Sequence, residues 1–444
     1  MKNKFHGEKL KAMINIIKKL STARIIAMGF ALLILTGSLL LMLPCSVKSG
    51  ANLTYTDALY TSASAVCVTG LIAADAGDTF TALGQFILAM LIQIGGLGVT
   101  TMGAGIILVM GKRVNIKGRL IIRETMNVDS GNGLVKLIRR VFAVTAAFET
   151  AGALLSFCVF SRDYPWLKAL GISFFHSIAA FNNAGFDILG NNQNLIPYQN
   201  NVFLNIVTCI LIFFGGIGFL VICDMGKTKF RWKKLSMHSK VVLSVSAALL
   251  ASGTILIKLT EKVTWLGAFF FSVSARTAGF STYPLSAFSK PGLITVAVLM
   301  FIGASPGSTG GGIKTSTFFV LLQGIKSAAT NHSEKVFHYS IPKEAFRKAA
   351  IIAFMAMSVI IAGTYIMCVL EPDIAYEDIM FEVISAFATV GLSTGITSKL
   401  CVGSKILSVI IMYIGRLGPL TIATLWHFSK GERVRYPDGD IAIG

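Results

Sequence analysis

Four short stretches of this 444-residue chain repeat one pattern. Each has a small or polar residue, one or two small residues, a glycine, and then a large apolar residue. They are Ala65-Val-Cys-Val-Thr-Gly70-Leu71, Phe181-Asn-Asn-Ala-Gly185-Phe186, Ala275-Arg-Thr-Ala-Gly279-Phe280 and Ala388-Thr-Val-Gly391-Leu392. A second pattern trails each copy: Ile94-Gly-Gly-Leu-Gly98, Phe214-Gly-Gly-Ile-Gly218, Ile302-Gly303-Ala304 and Ile414-Gly-Arg-Leu-Gly418. Two motifs recurring four times in the same order mean one structural unit used four times. Such a repeat constrains the architecture ahead of any local propensity.

The chain is 54% hydrophobic and only 14% charged, with a mean hydropathy of +0.71. Soluble domains carry about 25% charge, so the composition is that of a membrane protein. The formal net charge of +19 could suggest a nucleic-acid partner, but its placement does not. Most Lys and Arg fall in five segments: 1–24, 111–140, 224–240, 323–348 and 427–444. That is the positive-inside pattern with both termini cytoplasmic. No nucleic acid is expected, because no soluble basic domain exists to bind it.

A helix needs about 20 apolar residues to cross a bilayer. Candidate spans are 25–43, 86–109, 141–160, 202–223, 241–259, 294–325 (interrupted), 349–370 and 406–428. Between the members of each pair lies a shorter segment ending in the loop motif: 56–66, 167–182, 264–275 and 376–388. These are too short to span and read as re-entrant half-helices. The expected fold is all-α and integral to the membrane. Four fused span–pore loop–span repeats, with eight transmembrane helices and four half-helices, surround one central pore.

The expected boundaries are repeats at 25–110, 141–223, 241–325 and 349–428. Cytoplasmic linkers cover 111–140, 224–240 and 326–348, with an N-terminal segment 1–24 and a tail 429–444. Within the first segment, 13–20 reads as an interfacial helix. The basic start followed by an apolar run imitates a signal peptide. The run is too long, no A-x-A site follows, and Pro44 makes Leu43-Pro44-Cys45 a poor lipoprotein site. The seven cysteines are scattered and suit neither a disulfide framework nor a zinc site.

Non-helical backbone at membrane depth must be buried in protein or line water. Four such loops can meet this condition by surrounding one axis, where their carbonyls replace the hydration shell of a cation. Glycine accepts φ > 0 and admits close backbone approach. The half-helices end at the loops, and each C-terminus carries roughly −0.5 charge, so four supply about −2 without any carboxylate.

Thr389-Val-Gly391 resembles the TVGYG filter of potassium channels, although no repeat has the complete sequence. The four-fold chain with one loop glycine per repeat resembles the Trk/Ktr/HKT superfamily of potassium transporters. Eight spans and the tail make it most similar to bacterial KtrB membrane subunits. The resemblance implies a potassium filter of Val68, Thr69 and Gly70; Asn183, Ala184 and Gly185; Thr277, Ala278 and Gly279; and Thr389, Val390 and Gly391. Sodium-preferring plant relatives carry Ser where this chain has Gly70, so potassium is favoured. Further implications are a homodimer in the lipid bilayer, a cytoplasmic nucleotide-binding ring of the KtrA type, and sodium as a candidate activator.

The sixth span contains Gly303-Ala-Ser-Pro-Gly-Ser-Thr-Gly-Gly-Gly-Ile-Lys314. Pro and Gly cost a helix about 3 and 1 kcal/mol each, so helix is lost across this run. The resemblance makes it an intramembrane gating loop that includes Gly303, Ser305, Pro306, Gly307, Gly310, Gly311, Gly312 and Lys314; a simple kink is the bland alternative. Arg416 stands in the eighth span where other repeats have Gly96, Gly216 and Ala304. A guanidinium at depth should face the interior, and it is expected to hydrogen-bond the gating loop and hold the pore closed; a buried ion pair with no gating role is the alternative. Arg276 is expected to point behind the filter, since a cation on the axis would repel potassium. Glu149 is a second intramembrane charge with no evident partner. Asp75, Asp78 and Asp187 follow loop glycines and could concentrate cations at the mouth, although ordinary solvated loop residues look the same.

An intramembrane enzyme is disfavoured. The histidines are dispersed, and no H-E-x-x-H or G-x-S-x-G occurs. Gly307…Gly312 followed by Lys314-Thr315 only approaches a phosphate-binding loop, and Ile313 breaks its spacing. The competing functions are a sodium or ammonium pore and a membrane receptor or scaffold. The last would need no glycine loops at membrane depth.

Overall fold

The computed structural model describes residues 21–109, 134–331, 335–337 and 339–425. The expected helix 13–20, most of the linker 111–140 and the tail 429–444 lie outside the described residues.

Among the described residues the first elements are α1 (Thr22–Leu41), α2 (Tyr55–Cys67), α3 (Ala76–Thr79), α4 (Ala82–Leu97) and α5 (Val99–Val109). Next come α6 (Leu134–Phe160), α7 (Trp166–Phe181), α8 (Val202–Gly216) and α9 (Phe219–Thr228). Then follow α10 (Met237–Thr260), α11 (Trp265–Ser274), α12 (Lys290–Phe301) and α13 (Thr315–Thr330). A two-residue hairpin, β1 (Lys335–Val336) and β2 (Tyr339–Ser340), pairs Lys335 with Ser340. The last helices among the described residues are α14 (Lys343–Leu370), α15 (Tyr376–Ala388), α16 (Val402–Leu417) and α17 (Pro419–Thr424).

Side-chain oxygens start many of these helices. Thr54, Thr81, Asn201, Thr264 and Ser289 each accept the backbone N–H three residues on. That contact satisfies a donor which the first helical turn leaves unpaired.

Among the described residues, α1, α6, α10 and α14 are each long and apolar enough to cross a membrane. Their outer faces carry exposed Leu32, Leu154, Leu259 and Phe354. Apolar surface on this scale is unsuited to water. The chain is a multi-pass, mainly α-helical membrane protein.

Each long helix packs on the short helix that follows it, and small residues set the distance. On α1, Gly37 faces Ser62 of α2 and Leu91 of α4. The same trio recurs as Gly152, Ser177 and Leu211, and as Gly253, Ser272 and Leu299. Gly363, Val383 and Ile411 are its apolar version. Close approach lets the short-helix serines bond across. Ser62 donates to Ile34 O (2.7 Å), Ser177 to Glu149 O (2.7 Å) and Ser272 to Leu250 O (2.9 Å).

The apolar runs 86–109, 202–223 and 406–428, each read as one span, are not single helices. The first bends by 101° and the second by 98°. The third breaks between α16 and α17. The breaks fall at Gly98, Gly218 and Gly418, with φ of 84°, 91° and 87° and ψ of 135°, 141° and 137°. Only glycine takes that conformation readily. Hydropathy registers the apolar run and not the backbone turn within it. Between α12 and α13 helix is absent from Ile302 to Lys314, with a parallel bridge between Ile302 and Ile313.

Candidate ion-conduction site

The short helices α2, α7 and α15 end in one kind of turn. Val68, Asn183 and Thr389 take left-handed backbone, with φ of 58°, 57° and 52°. In each, two bonds close the helix end: Thr69 N to Ser64 O (2.7 Å) and Val68 N to Ala65 O (3.1 Å) are the first pair. This is the Schellman arrangement, which normally employs glycine. A β-branched Val or Thr there is strained, at a cost on the order of 1–3 kcal/mol. In the third loop Thr277 has φ 85°, and Ala278 and Gly279 both return to Ser274 O.

The loop glycines follow at once. Gly70, Gly185, Gly279 and Gly391 have φ of 93°, 65°, 77° and 95°. A Cβ on any of them would strike the next loop. Gly70 lies against Ala184 O and Gly185 Cα, and Gly185 against Ala278 O and Gly279 Cα. Gly279 lies against Val390 O and Gly391 Cα, and Gly391 against Thr69 O and Gly70 Cα. The contacts run from first loop to second, third, fourth and back to the first. The four loops therefore form one closed ring. Val68, Thr69, Asn183, Ala184, Thr277, Ala278, Thr389 and Val390 are all fully buried around it.

Serine hydroxyls brace three of the turns. Ser64 and Ser385 accept from Gly70 N and Gly391 N, both at 3.0 Å, and Ser274 donates to Phe280 O (2.5 Å). The second loop has Ala179 at that position, and Asn194 donates to Gly185 O instead (3.2 Å).

The trailing motif acquires a physical reason. Gly95 abuts the backbone of Val66, Gly215 the carbonyl of Phe181, and Gly415 the carbonyl of Phe387. Any side chain there would push the following helix off the end of the short one. Gly303 instead faces Gly311 O.

The non-helical stretch 302–314 lies against the turn residues that precede the glycines. Thr309 Oγ1 is 3.1 Å from the Asn183 amide. Gly310 packs on the Thr277 side chain and Gly311 on that of Thr389. The stretch is tied to the α8–α9 break by Ser305 N to Gly216 O (3.0 Å), Thr309 N to Gly215 O (3.3 Å) and Phe219 N to Gly307 O (3.0 Å). Gly218 allows this, since a Cβ there would meet Pro306 O at 2.6 Å. Ser305 Oγ is 3.0 Å from Thr315 Oγ1.

Two cations hold the stretch. Lys314 Nζ donates to Gly310 O (2.7 Å) and Gly311 O (3.4 Å). Arg416 donates to Thr309 O, and from its other terminal nitrogen to Gly95 O and Gly96 O. Arg416 thus joins α16, the 302–314 stretch and the end of α4.

Arg276 turns away from the ring onto α10, where its guanidinium is 3.0 Å from Ser246 Oγ. Glu149 does have partners. Asn182 Nδ2 donates to Glu149 Oε1 (3.0 Å) and to Gln93 Oε1 (2.8 Å). Asp75 and Asp78 accept the N–H groups of Asn192 and Asn191, both at 2.7 Å, and so tie one post-glycine loop to another. Asp187 is buried and accepts from Leu189 N (3.0 Å).

Sequence reasoning passed over Glu382, which is fully buried on α15 and accepts from Thr397 Oγ1 (2.5 Å). Through it α15 grips the chain beyond Gly391. An acid amid the apolar residues of a half-helix was the available signal.

Cavities open on both sides of the ring. One of about 310 Å³ is lined by Gly70, Gly279, Gly391, Asp187 and Ser393. The other, about 350 Å³, is lined by Gly98, Phe219, Gly307, Gly310, Lys314 and Arg416. Between them stand the ring and the 302–314 stretch.

Known proteins share both sequence and fold. The family described as TrkH, a cation transport protein, matches residues 19–431. The potassium/sodium uptake protein NtpJ of Enterococcus hirae is 36% identical, over 96% of this chain and 98% of its own. The Ktr system potassium uptake protein B of Bacillus subtilis is 35% identical, over 95% and 96%. The crystal structure of the potassium transporter TrkH from Vibrio parahaemolyticus has a TM-score of 0.73 over 92% of this chain and 86% of that one. At 18% identity it shows a common fold. These relatives are ion transporters and not enzymes. The chain belongs to the Trk/Ktr family of cation transport proteins and is similar to its KtrB members.

Proposed function

We propose that this chain takes up potassium through the ring of four glycine loops and that the 302–314 stretch gates it. The observation that carries the reading is the closed circuit of contacts from Gly70 through Gly185 and Gly279 to Gly391 and back. A ring of backbone with the ends of four short helices beside it suits a dehydrated cation. The fold is read as four fused repeats with eight spans, at the boundaries given above, and both termini as cytoplasmic. The recurring Gly–Ser–Leu trio supports the repeat.

Within this reading Val68 to Gly70, Asn183 to Gly185, Thr277 to Gly279 and Thr389 to Gly391 form the filter. Gly303, Ser305, Pro306, Gly307, Gly310, Gly311, Gly312 and Lys314 form the gate. Packing of Gly310 and Gly311 on Thr277 and Thr389 supports a plug against the filter. Arg416 stabilises the closed position. A homodimer working with a cytoplasmic nucleotide-binding ring, and sodium as activator, rest on the likeness to Ktr system proteins.

The test is tracer rubidium uptake into potassium-loaded liposomes that hold the purified chain, beside a Gly391→Ser variant. Uptake blocked by potassium and not by sodium, and made sodium-permissive in the variant, is the expected result. Equal block by both ions in both proteins would overturn the potassium reading.

A further inference from the structure

The run Lys229-Phe-Arg-Trp-Lys-Lys234 joins α9 to α10, and all six residues are exposed. Phe230 is 71% exposed and Trp232 46%. Four cations in six residues have no carboxylate partner among the described residues. Asp224, on α9, is occupied by Ser239 Oγ (2.6 Å) and Ser236 N (3.0 Å).

The local fold holds this run in a fixed shape. Lys229 and Phe230 take left-handed backbone, with φ of 51° and 59°. Trp232 packs edge-on against Phe337 of the β1–β2 hairpin, at 6.3 Å between ring centroids. Lys240 stands over the same Phe337 ring at 5.9 Å. Exposed Lys335 and Tyr339 extend the surface.

The α9 helix leaves α8 at 98°. If α8 runs across the bilayer, α9 runs along its surface and delivers the run to the interface. Trp prefers that layer, and Lys and Arg near it attract anionic lipid.

We propose that residues 229–234, together with the β1–β2 hairpin, bind the phosphate headgroups of anionic phospholipids on the leaflet beside the 302–314 stretch. Arg231 and the three lysines supply the charge. Phe230 and Trp232 enter the boundary between headgroups and acyl chains.

The test uses the full chain in vesicles of phosphatidylcholine with one quarter phosphatidylglycerol. The protein is extracted in mild detergent, and retained lipids are counted by mass spectrometry. Wild type is expected to retain phosphatidylglycerol in several-fold excess over its share. A variant carrying Lys229→Gln, Arg231→Gln, Lys233→Gln and Lys234→Gln is expected to lose that excess and to retain phosphatidylglycerol close to its share of the vesicle. A variant carrying Lys326→Gln, Lys343→Gln, Arg347→Gln and Lys348→Gln, all at exposed positions, serves as the charge-matched control and is expected to keep it. No enrichment in wild type, or equal enrichment in the 229–234 variant, would overturn the proposal. So would lipid retention that stays unchanged while binding to a cytoplasmic nucleotide-binding subunit is lost, which would assign the surface to a protein. All the substituted side chains are exposed, and an unchanged gel-filtration profile verifies folding.

Discussion

The guanidinium of Arg416 donates to the carbonyl oxygen of Thr309, linking α16 to the non-helical stretch 302–314. Its other terminal nitrogen reaches Gly95 and Gly96, so one side chain ties together three parts of the chain. Three carbonyl acceptors also explain how a cation is tolerated at this depth without a carboxylate.

This geometry predicts the effect of removing the clamp. Hydrogen bonds to a charged group contribute roughly 1.5–3 kcal/mol each. Loss of even one shifts a closed–open balance by about tenfold. Arg416→Ala is expected to raise resting rubidium uptake by that order, and Arg416→Lys by less. A fall in uptake with intact folding would show that Arg416 supports conduction rather than closure.

The trailing glycines predict a contrast within α16. A Cβ at Gly415 would collide with the carbonyl of Phe387. Gly415→Ala should therefore cost on the order of 1–3 kcal/mol, as overpacking does. At Gly403 the nearest atom is a Leu370 methyl at 3.4 Å. Gly403→Ala should be neutral, or stabilising by up to about 1 kcal/mol through helix propensity. Thermal aggregation in detergent compares the two variants, and equal midpoints would remove the packing explanation.

Asp187 predicts a pH dependence. It lies in the loop beyond the ring, outside the helices. Burial, with a lesser contribution from the Asp75 and Asp78 carboxylates, pushes its pKa up to about 7 from an ordinary 3.8. A raised carboxylate pKa stabilises the fold fully below the ordinary value, and that stability is lost as pH rises through about 7. The same ionisation adds negative charge to the cavity wall. Rubidium uptake should rise between about pH 6 and 8, around that pKa, while thermal stability falls from about pH 4 and levels off above about 7. Asp187→Asn should flatten both profiles. An unchanged uptake profile in the variant would remove Asp187 from the mouth's electrostatics.

Asn182 is the hub between Glu149 and Gln93. Asn182→Leu would take one amide donor from the half-buried Glu149, at about 1–3 kcal/mol. Glu149→Gln keeps an acceptor for the Asn182 amide and should cost under about 1 kcal/mol. Expression yield and melting temperature in detergent should rank the variants in that order. The reverse ranking would mean that the charge of Glu149, and not its hydrogen bond, holds the cluster.

Much of the local structure was legible in the chain. The half-helices expected at 264–275 and 376–388 are observed as Trp265–Ser274 and Tyr376–Ala388. The loss of helix between Gly303 and Lys314 was equally plain, because Pro and repeated Gly cannot sustain one. The left-handed turns at Val68 and Thr389 were hidden, since β-branched residues avoid that backbone unless packing compels it. The breaks at Gly98, Gly218 and Gly418 were hidden because hydropathy averages across a bend.

By itself, then, the sequence determined the apolar helices, the fourfold recurrence and the places where backbone must turn. These depend on hydropathy, propensity and glycine's freedom, all of which are local. Only the tertiary structure decided that Gly391 closes against Gly70, that Arg416 reaches Thr309 and that Asn182 satisfies Glu149. Those partners are far apart in the chain, and the packing of whole helices alone brings them within a few ångströms.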